Sequence, residues 1–201
     1  MSSSTAPTTT TDRLRIAVII GSTRPGRAGK PIADWFLTQT RSRTDIEVDM
    51  IDLAEAELPA ILAGNDDGSL PAEVTAVGER LADADGFVVV TPEYNHAYPA
   101  ALKNAIDWFY GEWSAKPVAF VSYGGAAKGI RAVEQLRQVF AEVHATTTRD
   151  GVSIDLGHTD RLGWPSSPGV DGAAKLMLDQ LTWWSRALRT ARAEHPYVAA
   201  G

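Results

Sequence analysis

The chain contains no cysteine. Disulfides, thiolate zinc sites, iron–sulfur clusters and cysteine nucleophiles are therefore excluded. The absence suits a reducing compartment, and a cytoplasmic location is expected. No run approaches the ~18 apolar residues of a membrane span, so no membrane partner is expected. Basic charge is also in deficit, with 19 Lys and Arg against 25 Asp and Glu and a formal net charge of -6. A nucleic-acid binder would carry the opposite footprint, overall or on one face. The histidines outside the loops, His144, His158 and His195, make no metal-binding spacing, and no metal is expected.

What is present is enough for one sizeable core. The 201 residues are 44% hydrophobic, which makes one domain over residues 13–195 the default. The first 12 residues are dominated by Ser, Thr, Ala and Pro. They lack the basic start and apolar middle of a secretory signal, and they read as a disordered tail.

Periodicity gives the order of elements. Leu14–Ile20 is a β-branched run ending at Gly21, as expected of a strand buried on both faces. A helix follows from about Gly29 to Arg41, with Pro31 in its first turn and Ile32, Trp35, Phe36 and Gln39 on one stripe. Ile46–Asp52 alternates like a half-buried edge strand. A long loop from Ala54 to Pro71 precedes a helix over Ala72–Ala84. Gly86–Val90 is the third strand, Pro99–Tyr110 a helix, and Pro117–Ser122 the fourth strand. Ile130, Val133, Leu136, Val139, Phe140 and Val143 mark the next helix by their spacing. A fifth strand falls between Ala145 and Ile154, and a last helix runs from about Gly172 to Arg192. That alternation predicts an α/β fold, one parallel sheet covered by helices on both faces.

In such sheets ligands bind outside the carboxyl ends of the strands. Three segments leave those ends. The first, Gly21-Ser22-Thr23-Arg24-Pro25-Gly26-Arg27-Ala28-Gly29, opens a helix whose free amides favour an anion. Ser22 and Thr23 add hydroxyl donors, and Arg24 a planar cation suited to phosphate. The segment is a near miss to the nucleotide P-loop, with Arg27 in place of Lys and Ala28 in place of the magnesium-binding hydroxyl. It also lacks the dinucleotide fingerprint G-x-G-x-x-G. A monophosphate site remains.

The second segment, Thr91-Pro92-Glu93-Tyr94-Asn95-His96-Ala97-Tyr98-Pro99, is stiffened by prolines and offers stacking and polar groups. Glu93 and His96 are open to two readings each: an acid/base pair, or a helix cap and a subunit contact. The third, Ser122-Tyr123-Gly124-Gly125-Ala126-Ala127-Lys128-Gly129, exposes amides, and Tyr123 is placed to cover the edge of an aromatic ligand. A purely structural turn is the equal alternative. Among the aromatics, Trp183 and Trp184 divide between core and surface, and part of the Trp108-Phe109-Tyr110 cluster belongs at an oligomer interface.

In combination Gly21-Ser22-Thr23-Arg24, Pro92-Glu93-Tyr94-Asn95, Ala101–Trp108 and Ser122-Tyr123-Gly124-Gly125 resemble the NAD(P)H-dependent FMN reductases of the flavodoxin-like superfamily. The resemblance spans Leu14 to about Ala145. It implies a three-layer sandwich with a five-stranded parallel sheet of order 2-1-3-4-5, non-covalent FMN, and NAD(P)H as electron donor. It also implies that Ser22 and Arg24 bind the phosphate, helped by Thr23, Arg27 and the loop to Gly29. Arg27 would then compensate for a hydroxyl that many relatives carry there. Pro92, Glu93, Tyr94 and Asn95 would line the isoalloxazine, mainly through backbone groups, with Ser122, Tyr123, Gly124 and Gly125 closing its other side. The implied activity is ping-pong hydride transfer to a quinone, azo compound, metal oxyanion or flavin, in a homodimer or homotetramer. The chemistry would lie on the flavin, with no catalytic side chain. The alternative is a flavodoxin-like electron carrier serving protein partners, although Arg24, Arg27 and Lys128 replace the acidic rim that carriers present.

Overall fold

Apolar runs of five to seven residues become strands here because both sheet faces are covered by helices. The computed structural model describes residues 13–64, 67–159 and 161–198; the tail expected over residues 1–12 lies outside them. Strands β1 (Leu14–Ile20), β2 (Ile46–Asp52), β3 (Gly86–Pro92) and β4 (Pro117–Gly124) pair in parallel in the order β2-β1-β3-β4. Every residue of β3 and β4 is buried, whereas β2, at the edge, has half-buried positions in its middle. The register sets Ile20 beside Asp52 and Val90, and Pro92 beside Tyr123. All these strands thus end along one rim of the sheet.

Helices α2 (Ala72–Asp83), α3 (Ala100–Trp108) and α4 (Ile130–Glu142) cover one face through residues such as Leu81, Ile106 and Leu136. Helices α1 (Gly29–Thr40) and α5 (Pro168–Glu194) cover the other through Ile32, Phe36, Met177 and Leu181. Each such side chain, fully buried, contributes about 1.5–3 kcal/mol. The result is the flavodoxin-like three-layer sandwich, with the implied strand order.

The fifth strand departs from one continuous run. It forms as two short pieces, β5 (Thr146–Thr147) and β6 (Val152–Asp155), both pairing with β4. The break has a polar cause. Thr148 donates its backbone N–H and its hydroxyl to the Val118 carbonyl, and Arg137 reaches from α4 to Thr147 Oγ1 and the carbonyls of Thr148 and Arg149. Thr148 thus keeps the chain tied to β4, while Arg137 takes the carbonyls that follow, between the two pieces.

Three other expectations are corrected. Helix α5 begins at Pro168, four residues before Gly172, because Ser167 caps it and Pro168 suits the first turn. Ile130 is 50% exposed, being the first residue of α4 and clear of the core stripe. Neither Trp183 nor Trp184 enters the core; Trp183 is 62% exposed and the two rings pack edge to face. The buried tryptophans are Trp35 on α1 and Trp113, between α3 and β4, whose ring contacts Phe87 and Phe140.

Candidate functional site

The first segment leaves β1 and is anchored where Gly21 donates to the Val90 carbonyl. A side chain at Gly21 would press on Leu102 of α3, so only glycine lets the loop lie this close. Ser22 is fully buried, and its hydroxyl shares a 2.7 Å hydrogen bond with Tyr94 of the second segment. The Arg24 amide points back at the same oxygen, at 3.4 Å. Thr23, Arg24 and Pro25 are exposed at the tip, and Arg24 has no ion-pair partner among the described residues.

Helix α1 starts immediately behind this tip. Ala28 at its N-cap offers no side-chain acceptor and its first turn contains no acid, so its leading amides stay open to an anion. Beneath them lies the Tyr123 hydroxyl, buried and without a hydrogen-bond partner among the described residues. A Cβ at Gly29 would stand 2.9 Å from that oxygen. Burial pushes the Tyr123 phenol well above its ordinary pKa, so it remains a protonated donor. Its ring is 3% exposed and packs in the core under α1, so Tyr123 offers the third segment only its backbone.

Arg27 faces inward. Its guanidinium meets Asp52 at the end of β2 at 2.5 Å, and its Nε is a second buried donor without a partner. Asp52 was missed in the sequence, although it ends a strand at the same rim beside Ile20. The pair takes up most of the charge that Arg27 was expected to lend to a phosphate, and Arg24 is left as the open cation of the loop. A polar tip, uncapped amides and two orphaned buried donors fit a phosphate monoester.

The second segment is a tight turn. Tyr94 and Ala97 exchange backbone hydrogen bonds of 2.8 and 3.0 Å, and Asn95 and His96 between them both have positive φ, 49° and 71°. Glu93 does not pair with His96. Its carboxylate accepts from the Arg131 amide at 3.2 Å and the Arg131 guanidinium at 3.0 Å, in the first turn of α4. That is the helix-capping reading of Glu93. Gln135, one turn further along α4, donates to the His96 carbonyl at 2.8 Å. Neither α4 residue carried a motif in the sequence; the only signal was a polar face at the spacing of one turn.

The third segment closes on itself. Ser122 is buried and donates to the Lys128 carbonyl at 2.9 Å, so its hydroxyl braces the turn from inside. Gly129, at φ 82°, permits this closure, because a Cβ there would lie 2.8 Å from Ser122. Gly124 ends β4, and Gly125 is exposed with nothing near its Cα. Beside the first segment, a cavity of about 550 Å3 opens between Thr23, Leu53, Leu58, Ala101 and Asn104. No cluster of three His, Asp or Glu residues able to hold a metal occurs among the described residues.

A doubly covered parallel sheet with an anion cradle and two further loops at its carboxyl rim defines a mononucleotide-binding α/β protein. Residues 14–159 match the family model for NADPH-dependent FMN reductase, and the chain belongs to that family. It is 40% identical over 147 residues to an NAD(P)H-dependent FMN reductase of Schizosaccharomyces pombe, covering 70% of this chain and 73% of the relative. It is 32% identical over 138 residues to an NAD(P)H:quinone oxidoreductase of Solanum tuberosum, covering 65% and 70%. The flavoenzyme NAD(P)H:(acceptor) oxidoreductase of Paracoccus denitrificans shares the fold, with a TM-score of 0.68, 24% identity and coverage of 88% and 98%. The protein is accordingly a reductase with FMN as cofactor and NAD(P)H as electron donor.

Proposed function

We propose that this reductase moves a hydride equivalent from NAD(P)H to a small acceptor, a quinone first among them, in two successive half-reactions. Azo compounds, metal oxyanions and free flavin are the further candidate acceptors. The observation that carries the reading is the convergence of the three segments on one rim, with the α1 amides and Arg24 open at one end. Bound FMN supplies the ring atom that accepts and returns the hydride.

The residues supply position and charge. Thr23, Arg24 and the amides around Gly29 hold the phosphate, with Ser22 and Arg27 shaping the loop from beneath. Pro92, Glu93, Tyr94 and Asn95 line one side of the ring site, and the backbone of Ser122, Tyr123, Gly124 and Gly125 the other. Backbone amides in the Asn95 and Gly124 turns would be the donors available to steady negative charge on a bound flavin. Nicotinamide and acceptor use the same open face in turn, a ping-pong order that needs no side-chain nucleophile. No observation favours the electron-carrier alternative.

The unit doing this runs from residue 13 to residue 195. It works as a homodimer or homotetramer, supported by the exposed Ile61 and Leu62 on the loop beside the candidate site, and by Tyr110 at the opposite end of the sheet and Trp183 on α5. No described helix is long and apolar enough to cross a membrane. The net charge of -6 supports the absence of a nucleic-acid partner.

The test is an anaerobic titration. Purified protein is reconstituted with FMN and mixed with NADPH or NADH, and then with a benzoquinone. Bleaching by the nicotinamide followed by recolouring with quinone is the expected result, with parallel lines in double-reciprocal plots. Bound flavin that neither nicotinamide reduces would overturn the proposal.

A further inference from the structure

The turn at Tyr94–Ala97 is held in a conformation its sequence resists. Asn95 and His96 both sit in the left-handed region, at φ 49° and 71°, where any side chain carries a steric cost. Such a turn stays in place only when outside contacts over-determine it. Two of them come from α4. Arg131 holds the Glu93 carboxylate through both its amide and its guanidinium, and Gln135 holds the His96 carbonyl. Arg131 and Gln135 are four residues apart and so share one helical face, which lies against the turn. Glu93 is 9% exposed at its side chain, so its charge is largely withdrawn from water and its partner matters. The third contact, Ser22 to Tyr94, ties the same turn to the phosphate loop.

Helix α4 begins where the third segment ends, at Gly129. A clasp from α4 to the second segment therefore fixes the distance between the two walls of the ring site. Resting on the flavin reading above, we infer that Arg131 and Gln135 are positioning residues that set the width of that slot. They touch the turn and not the flavin. The chain thus places the ring by a helix-to-turn clasp, while the phosphate is held by a different element, the first loop, joined to that turn at Ser22 and Tyr94.

That separation gives the test a signature. Riboflavin has the ring without the phosphate, so loss of a ring-positioning contact weakens FMN and riboflavin by the same factor. Loss of a phosphate contact weakens FMN alone. Arg131→Ala, Gln135→Ala and the double variant are compared with the wild-type chain by fluorescence titration with both flavins. The flavin midpoint potential is measured on each FMN-loaded protein.

The double variant is expected to lose about 10-fold in affinity for both flavins, the scale of one charge-assisted hydrogen bond. Its potential should become more negative as the turn amides loosen. Arg131→Lys, which keeps the charge, should recover most of the affinity, and this variant with Gln135→Ala decides the matter if the double variant fails to fold. Affinities for both flavins within twofold of wild type, with an unchanged potential, overturn the inference while leaving the FMN site intact. A wild-type chain that binds neither flavin overturns the functional reading itself.

Discussion

At the level of single residues, the proposed phosphate end divides into groups that reach the surface and groups that support from below. Arg24 is exposed and unpaired, whereas Arg27 is spent on Asp52. Arg24→Ala should weaken FMN about 10- to 100-fold, since a hydrogen bond to a charged group contributes about 1.5–3 kcal/mol. Riboflavin affinity should not change, and a titration in which FMN affinity is also unchanged would remove Arg24 from the site. Tyr123 offers an opposite pair of effects. Its hydroxyl is buried without a partner, so Tyr123→Phe should stabilise the flavin-free protein by about 1 kcal/mol. If that hydroxyl serves the phosphate, the same variant binds FMN more weakly. A melting temperature that falls in the flavin-free variant would contradict the first half. The sequence showed Ser22, Arg24 and the glycines because motif chemistry is local. It could not show that Ser22, Ser122 and Tyr123 turn their side chains inward, because those directions depend on Tyr94, Lys128 and α1, which are distant in sequence or set by the loop's own closure.

Among the elements, legibility followed burial pattern. Strands β1, β3 and β4 are largely apolar runs; β1 appears over the expected residues, and β3 and β4 run two residues beyond them, to Pro92 and Gly124. The fifth strand falls in the interval Ala145–Ile154 as expected, but in two pieces, with Arg137 of α4 taking the Thr148 and Arg149 carbonyls between them. The start of α5 was set too late because Pro168 and Gly169 read as loop until Ser167 is seen capping them. A polar junction also joins β2 to α5. Asp45 accepts a two-pronged bond from Arg43 and a further one from Arg186, which holds its carboxyl well below the ordinary value of 3.8. A depressed carboxylate pKa gives stability that is present above the unfolded value and lost as pH falls toward the folded one. Asp45→Asn should therefore cost about 1–2 kcal/mol at neutral pH, after allowance for the partial exposure of the junction. Urea titrations should show that gap holding from pH 7 to about 5 and closing below about pH 4, the unfolded carboxylate range. A gap independent of pH would mean that the asparagine acts through packing rather than charge.

For the molecule as a whole, the question is how the apolar side chains left at the surface are covered. Among the described residues, two groups of them lie on opposite sides of the sheet. Ile61 is 78% exposed and Leu62 51%, on a loop that Asn104 and Trp108 of α3 anchor by donating to the Pro59 carbonyl. Leu176 and Trp183, 63% and 62% exposed, lie seven residues apart on α5 and so share one face on the other side of the sheet. One self-complementary patch closes a dimer, and two distinct patches allow a dimer of dimers. Light scattering on charge-bearing variants separates these cases. Ile61→Glu with Leu62→Glu should break the contact at the site-bearing side. Trp183→Glu should leave that contact whole and halve the mass only if the wild-type chain is a tetramer. Substitutions at such exposed positions change monomer stability by only about 0.5 kcal/mol, so lost mass would report lost contact and not unfolding. A wild-type chain that runs as a monomer would remove the assembly altogether, and the ring site would then have to be completed by this chain alone.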